Sequence, residues 1–206
     1  MADQTVREPL QERSRRSLEA IYAAAIDALA EGGWGAVTVG EIERRSGVTR
    51  GTFYLRFPTR DALIEYVHER LLTEVRELQD HTFGPLMTGR ALPLDEACLL
   101  AVRAMADVFG RVGRVMVHGE RLDRPPSGHE ALANLSRNVT AVLRRGLAGT
   151  PGSTAAVEFV VELAFAAFVA RQRPVPPFPG HRQSAEDEFT ERLAAVLAAY
   201  LRTAIA

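Results

Sequence analysis

Apolar residues recur at three- and four-residue steps along most of the chain, the period of helices that each bury one stripe. From Ser14 to Glu31 the stripe is Leu18, Ile21, Tyr22, Ala25, Ile26 and Leu29. Gly32-Gly33 ends that helix, because glycine accepts the left-handed backbone of a helix stop. Trp34, in a tight connection with Gly35, Val37 and Val39, is expected to plug the core beside it. Thr38 suits an N-cap, with Glu41 three residues on forming a capping box, and this second helix runs to about Arg45. Gly47 supplies the next turn, Val48 points inward, and Thr49 caps a third helix whose core side presents Phe53. Phe57-Pro58 stops it. Thr59 caps a long fourth helix, 59–80, with the stripe Leu63, Ile64, Val67, Leu71, Val75 and Leu78. Asp61 in its first turn suits the helix dipole.

The pattern breaks near Phe83-Gly84-Pro85. Beyond it the periodicity predicts helices over 93–110, 112–122, 129–147, 153–172 and 185–204. Asp123–Gly128 reads as a loop, and the proline-rich Arg173–Gly180 as a stiff connector that cannot be helical. Clear strand patterns are absent, so the fold class is all-α. The expected organisation is a mobile tail over 1–13, a three-helix domain over 14–60, and a larger C-terminal helical bundle over 61–206 reached through helix 59–80.

Composition narrows the setting. At 206 residues, 47% of them hydrophobic, the chain can bury a real core. All its basic residues are arginine, which reads mainly as genomic bias. Cys98 is the only cysteine, so no intrachain disulfide forms, and its neighbours Ala97, Leu99 and Leu100 mark it as a small core residue. No apolar leader precedes the first helix, and the longest apolar run is broken by Glu162 and too short for a bilayer. A cytoplasmic protein without membrane attachment is expected.

Net charge changes the picture locally. The chain as a whole carries −1, yet every charged residue from Arg44 to Arg60 is an arginine: Arg44, Arg45, Arg50, Arg56 and Arg60. A compact helical hairpin bearing only positive charge over that span suits a phosphate backbone. The segment Ile21–Leu63 also resembles the DNA-binding domain of TetR-type transcriptional regulators. The resemblance rests on Ala24-Ala25, Gly33-Trp34, Thr38-Val39, Ile42, Gly47-Val48-Thr49, Gly51, Phe53-Tyr54, Phe57, Thr59-Arg60 and Leu63. The chain departs from it where Glu43 and Ser46 replace the usual alanine, and where Arg56 replaces histidine or tyrosine.

The resemblance implies a helix-turn-helix whose second helix enters the major groove while the first crosses the backbone. Arg50 and Thr52 then become candidates for base contact, through an arginine fork on guanine and a threonine methyl on thymine. Tyr54, Arg56 and Arg60 resemble the family's phosphate contacts. Thr38 and Thr49 add contacts at helix starts, and Arg44 and Arg45 lie on the helix that crosses the backbone. Arginines on phosphates imply a steep salt dependence, about −0.9 in logarithmic slope per contacted phosphate.

One recognition helix reads too few bases for useful specificity, so a homodimer on a palindromic double-stranded operator is expected. Helices 153–172 and 185–204 are the dimerisation candidates, through Val157, Val160, Val161, Ala164, Phe165 and Phe168 on one and Phe189, Leu193, Val196, Leu197, Tyr200 and Leu201 on the other. The resemblance further implies a small-molecule effector within the C-terminal body. Phe83, Met87, Met105, Phe109, Met116 and Phe159 could line an apolar cavity, although each also fits plain core packing. Glu162 among apolar neighbours could hold a basic ligand or pair with Arg114 or Arg171, and His118 is a further candidate. No catalytic or metal-binding spacing is present and no cofactor is expected. The expected function is a regulator, most simply a repressor released by an apolar ligand. The alternatives are a ligand-independent or activating DNA-binding protein, a protein-interaction module, and an all-α enzyme.

Overall fold

The computed structural model describes residues 10–89, 91–118, 127–147, 154–172 and 184–205, and these fall into two compact units. The first comprises residues up to Leu71 and the second most of the rest. Among the described residues all regular structure is helical.

In the first unit, α1 (Leu10–Ala36) is interrupted at Gly32 and Gly33, where φ is −140° and 65°. Its regular part therefore stops where the glycine pair predicts. It starts inside the stretch expected to be a mobile tail, because Leu10 already enters the helix; residues 1–9 lie outside the described part. α2 (Val39–Ser46) and α3 (Arg50–Tyr54) are joined by Gly47, whose φ of 68° is left-handed and places its N–H on the Glu43 carbonyl. A side chain there would be strained. The start of α4 (Arg60–Phe83) completes the unit, with the Thr59 hydroxyl accepting from Ala62 N–H. Its core is Ile21, Ala25, Leu29, Val37, Ile42, Phe53, Leu63, Ile64 and Val67, each 0–1% exposed. Phe57 packs between Phe53 and Tyr66, and Tyr22 meets Tyr66 edge-on. Val48, expected to point inward, is half-buried.

The second unit contains the end of α4, a 3-10 turn at Gly84–Met87, α5 (Leu94–His118), α6 (Ser127–Gly146), α7 (Thr154–Arg171) and α8 (Glu186–Ala204). α5 is continuous where two helices, 93–110 and 112–122, were expected. Gly110 and Gly113 do not break it; a Cβ at Gly113 would lie 2.7 Å from Gln172 Cδ. The glycine admits a neighbouring side chain, and its helix cost of about 1 kcal/mol is tolerated. The loop expected at Asp123–Gly128 lies outside the described residues up to 126, and α6 already begins at Ser127. The connector Arg173–Gly180 lies outside them altogether.

This core joins α5, α6, α7 and α8 through Met105, Phe109, Leu135, Leu143, Val157, Val160, Phe168, Leu197 and Leu201. Phe109 stacks on Phe168 at 5.2 Å between ring centres. One buried polar group ties α4 to α6: Gln79 donates to the Ala131 carbonyl and accepts from Asn134. Cys98 is fully buried. Burial, then the nearby Asp95 carboxylate, pushes its thiol up to about 12, so it stays protonated at neutral pH as an inert core residue. No helix among the described residues is long and apolar enough to cross a membrane.

Candidate nucleic-acid interface and the helical body

The recognition helix is short and anchored from beneath. Phe53 and Phe57 are buried, and i→i−4 bonds continue the helical turn beyond Tyr54, from Leu55 N–H to Gly51 and from Phe57 N–H to Phe53. The Thr49 hydroxyl caps it by accepting from Thr52 N–H at 3.3 Å. With the aromatic side held down, Arg50, Gly51, Tyr54 and Leu55 are exposed and Thr52 is half-exposed.

The arginine ridge has built-in counterions. Arg44 donates to Glu41 at 2.6 and 2.9 Å. Arg45, with its side chain only 17% exposed, is held by Glu41 and, from α1, by Glu31. These bonds turn the Glu41 carboxylate away from the capping box: Thr38 caps Glu41 N–H, but the Thr38 N–H goes to the Ala36 carbonyl. The Arg44 guanidinium, then Arg45, hold the Glu41 carboxyl down at about 2, against an ordinary 4.5. Glu43, which replaces an alanine of the resembled pattern, finds a partner in Arg50 at a loose 3.8 Å. Ser46 closes the turn, donating to the Ile42 carbonyl at 2.6 Å and accepting from Val48 N–H at 3.1 Å.

Because the folded pKa of Glu41 lies below its unfolded value, its contribution to stability is complete above about 4.5 and is lost as pH falls toward about 2. Glu41→Gln should therefore flatten acid unfolding within that window and leave neutral-pH unfolding little changed. Circular dichroism along an acid titration reads this, and an unaltered acid limb would refute the ion-pair assignment.

Arg56 and Arg60, both expected on phosphates, are engaged within the unit. Arg56 donates to the carbonyl and hydroxyl of Ser14. Arg60 donates through Nε to the Val37 carbonyl at 2.6 Å and through Nη2 to the Trp34 carbonyl at 2.5 Å. It thus ties down two backbone carbonyls of the α1–α2 connection, of which the Trp34 carbonyl also accepts from Val37 N–H at 3.3 Å. Arg60→Met should cost about 1–2 kcal/mol of unfolding free energy, discounted from the usual value of a charged hydrogen bond for partial exposure. A urea midpoint equal to that of the unsubstituted protein would show that these bonds hold nothing.

Glu41 was expected only as a capping residue, although its i,i+3 and i,i+4 spacing from Arg44 and Arg45 could have shown the ion pairs. No such spacing points to Glu31, 14 residues from Arg45.

Of the eight effector candidates, the six whose side chains are described do not gather at one place. Phe83, Met105 and Phe109 are fully packed in the core, and Met87 is half-buried at its rim. Phe159 is 48% exposed and touches Tyr200 at 5.0 Å. Glu162 is exposed, so it carries no burial cost, and it has no ion-pair partner among the described residues. Arg171, one of its expected partners, instead donates to the Ser184 carbonyl and lies over the Phe189 ring. The other, Arg114, is exposed. The side chains of Met116 and His118 lie outside the described residues. Glu162 edges an open groove of about 410 Å³ between α6 and α7, floored by Leu132, Val161 and Phe165 and flanked by Ser136, Thr140 and Glu158.

On the two helices expected to pair copies of the chain, most of the expected apolar positions are buried, and only Val196 and Tyr200 of them remain on the surface. Val157, Val160, Val161, Ala164 and Phe168, with Leu197 and Leu201, are buried in the core, and Phe165, Phe189 and Leu193 are partly buried against it. The outer face is Phe159 and Leu163 on α7 with Val196 and Tyr200 on α8. The contact of Phe159 with Tyr200, at opposite helix ends, sets α7 and α8 antiparallel. Leu163 and Val196 then lie one turn along the same stripe. Apart from Glu158 and Glu162, α7 is apolar on all sides over most of its length, so periodicity alone could not separate its core face from the stripe of Phe159 and Leu163.

Residues 21–67 match the family model described as bacterial regulatory proteins, tetR family. Over those residues the helix-turn-helix segment is similar to that family. A 55-residue stretch is 40% identical to an uncharacterized HTH-type transcriptional regulator, YvdT, of Bacillus subtilis (strain 168). That stretch spans 27% of this chain and 28% of the relative, little more than a quarter of each. The whole fold is similar to the crystal structure of the transcriptional regulator FadR from Bacillus subtilis in complex with stearoyl-CoA, with a TM-score of 0.55 at 14% identity over 92% of this chain and 98% of that one. A likeness to Salmonella enterica GusR has a TM-score of 0.47 at 21% identity, over 98% and 99% of the two chains.

Proposed function

We propose that this protein is a DNA-binding transcriptional regulator, most simply a repressor that grips a palindromic operator as a homodimer and lets go when a small apolar ligand binds. The observation that carries this reading is the recognition helix itself: Arg50, Thr52 and Tyr54 point outward from a backbone fixed by Phe53 and Phe57. That arrangement offers a guanidinium fork, a methyl and a phenol to a groove at low ordering cost. Thr38, Arg44 and Arg45 on α2, Thr49, and then Arg56 and Arg60 flank it as phosphate contacts. Arg45, Arg56 and Arg60 must share their N–H groups with carboxylates or carbonyls, so the salt slope should fall short of one phosphate per arginine.

The stripe Phe159, Leu163, Val196 and Tyr200 supports pairing of two copies through α7 and α8. The α6–α7 groove supports the effector reading: an apolar floor beside Glu158 and Glu162 suits an apolar molecule with a basic group. The presence of stearoyl-CoA in the structurally similar FadR agrees with a small-molecule effector in general but does not name this one. The reading places the protein in the cytoplasm, with no catalytic role. Whether it represses or activates depends on where the operator lies relative to the promoter.

Selection of bound duplexes from a random pool by the full-length protein tests the whole proposal. A two-fold symmetric consensus with half-sites about one helical turn apart, or a multiple, is expected. Recovery of unselected pool at low salt would overturn it. Repeating the selection with apolar amines tests the effector.

A further inference from the structure

The exposed large hydrophobic side chains among the described residues form two groups. One is the α7–α8 stripe; the other is Tyr54 with Leu55. Leu55 is 87% exposed, so it packs on almost nothing in its own chain. A leucine contributes to stability through burial, and here burial is nearly absent. It follows the recognition helix within the same continuous turn, its N–H bonded to the Gly51 carbonyl at 3.1 Å. Positions 51, 52 and 55 share a face by three- and four-residue spacing, opposite the buried Phe53 and Phe57.

Gly51 on that face is equally unexplained by the fold. Its backbone is not left-handed, and a Cβ built there meets nothing within 4 Å. Alanine would fit and would favour the helix by about 1 kcal/mol. A glycine that the fold does not require leaves room for something that approaches the backbone from outside.

Resting on the DNA-binding reading, we propose that Leu55 reads a thymine through its 5-methyl group, and that Gly51 lets the recognition helix sink far enough into the major groove for this contact. The 5-methyl of thymine is the one apolar feature a base pair presents on the major-groove edge. Arg44, Arg45 and the other phosphate-contacting arginines hold the duplex alongside, and Leu55 supplies a hydrophobic contact that no phosphate offers. Leu55 is thus a specificity residue beside Arg50 and Thr52.

The test uses the full-length protein and the operator recovered from the random pool, with each thymine replaced in turn by deoxyuridine. This change removes the methyl and leaves base pairing intact. Besides any thymine that Thr52 reads, one thymine per half-site should prove sensitive, with affinity falling about fourfold, the equivalent of one buried methyl. Leu55→Ala should bind the thymine and deoxyuridine duplexes alike, whereas Thr52→Ser should keep the difference at that position. Gly51→Ala should melt no lower than the unsubstituted protein yet bind the operator at least tenfold more weakly.

If no thymine is sensitive, or if Leu55→Ala keeps the sensitivity, the Leu55 assignment fails while a recovered operator leaves the DNA-binding reading standing. If no operator is recovered at all, it is the DNA-binding reading that fails. A Gly51→Ala protein that binds normally overturns the close-approach role.

Discussion

Replacing Arg50 with alanine will lower affinity for the selected operator about 10- to 100-fold per half-site and leave the melting temperature where it was. The two halves of that expectation come from different observations. Arg50 stands with its side chain 66% exposed and, among the described residues, pairs only loosely with Glu43, at 3.8 Å, so its removal costs the fold little. In a groove the same guanidinium would donate two parallel bonds to one guanine, and their loss is worth about 1–3 kcal/mol of discrimination. The variant should also accept a wider set of bases at one position. Fluorescence anisotropy on the operator and on single-base variants measures both effects. Equal affinity, with unchanged base preference, would falsify the placing of Arg50 on a base edge.

Glutamate in place of Leu163 or Val196 will split the dimer and abolish operator binding at concentrations where the unsubstituted protein saturates. Both residues lie on the outer stripe of α7 and α8, 36% and 55% exposed, so neither change empties the monomer core. In a two-fold interface each substitution appears twice and sets two carboxylates into an apolar contact. Uncompensated charge of that kind costs several kcal/mol, enough to raise the dimer dissociation constant at least a hundredfold. Sedimentation should find a folded monomer whose helical circular dichroism is retained. Substitution of Val157 or Leu197 would not discriminate, because those side chains hold up the monomer itself. A variant that sediments as a dimer would move the interface elsewhere.

Much of the first unit was legible in the sequence because its signals are local. Thr38, Thr49 and Thr59 cap the helices they were expected to cap, and Gly47 turns the chain with the required left-handed backbone. The arginine ridge was visible as composition, but its state was not. Whether Arg45 faces water or Glu31 depends on how α1 crosses α2, which no spacing within α2 encodes. Arg60 gave the same difficulty: its partners are backbone carbonyls, invisible to any reading of side-chain types.

The second unit was legible as helices and much less so as surfaces. α5 looked divided because Gly110 and Gly113 resemble helix breaks, whereas at Gly113 the small residue serves a close neighbour, Gln172. α7 is apolar but for Glu158, Glu162 and its ends, so its core side and the side bearing Phe159 and Leu163 read alike. α8 alternates more clearly, and there Val196 and Tyr200 were already among the expected interface residues. The effector candidates were picked for being aromatic or soft, a property that core residues share.

The greasy stripe on α7 and α8 has a consequence for the living cell. If two protomers must meet before either can hold DNA, occupied operator scales with the square of protomer supply while the dimer remains scarce. Halving the supply then quarters the working dimer. A mutant copy whose product still pairs would also disable its normal mates, whereas one altered at Leu163 or Val196 would only thin the supply.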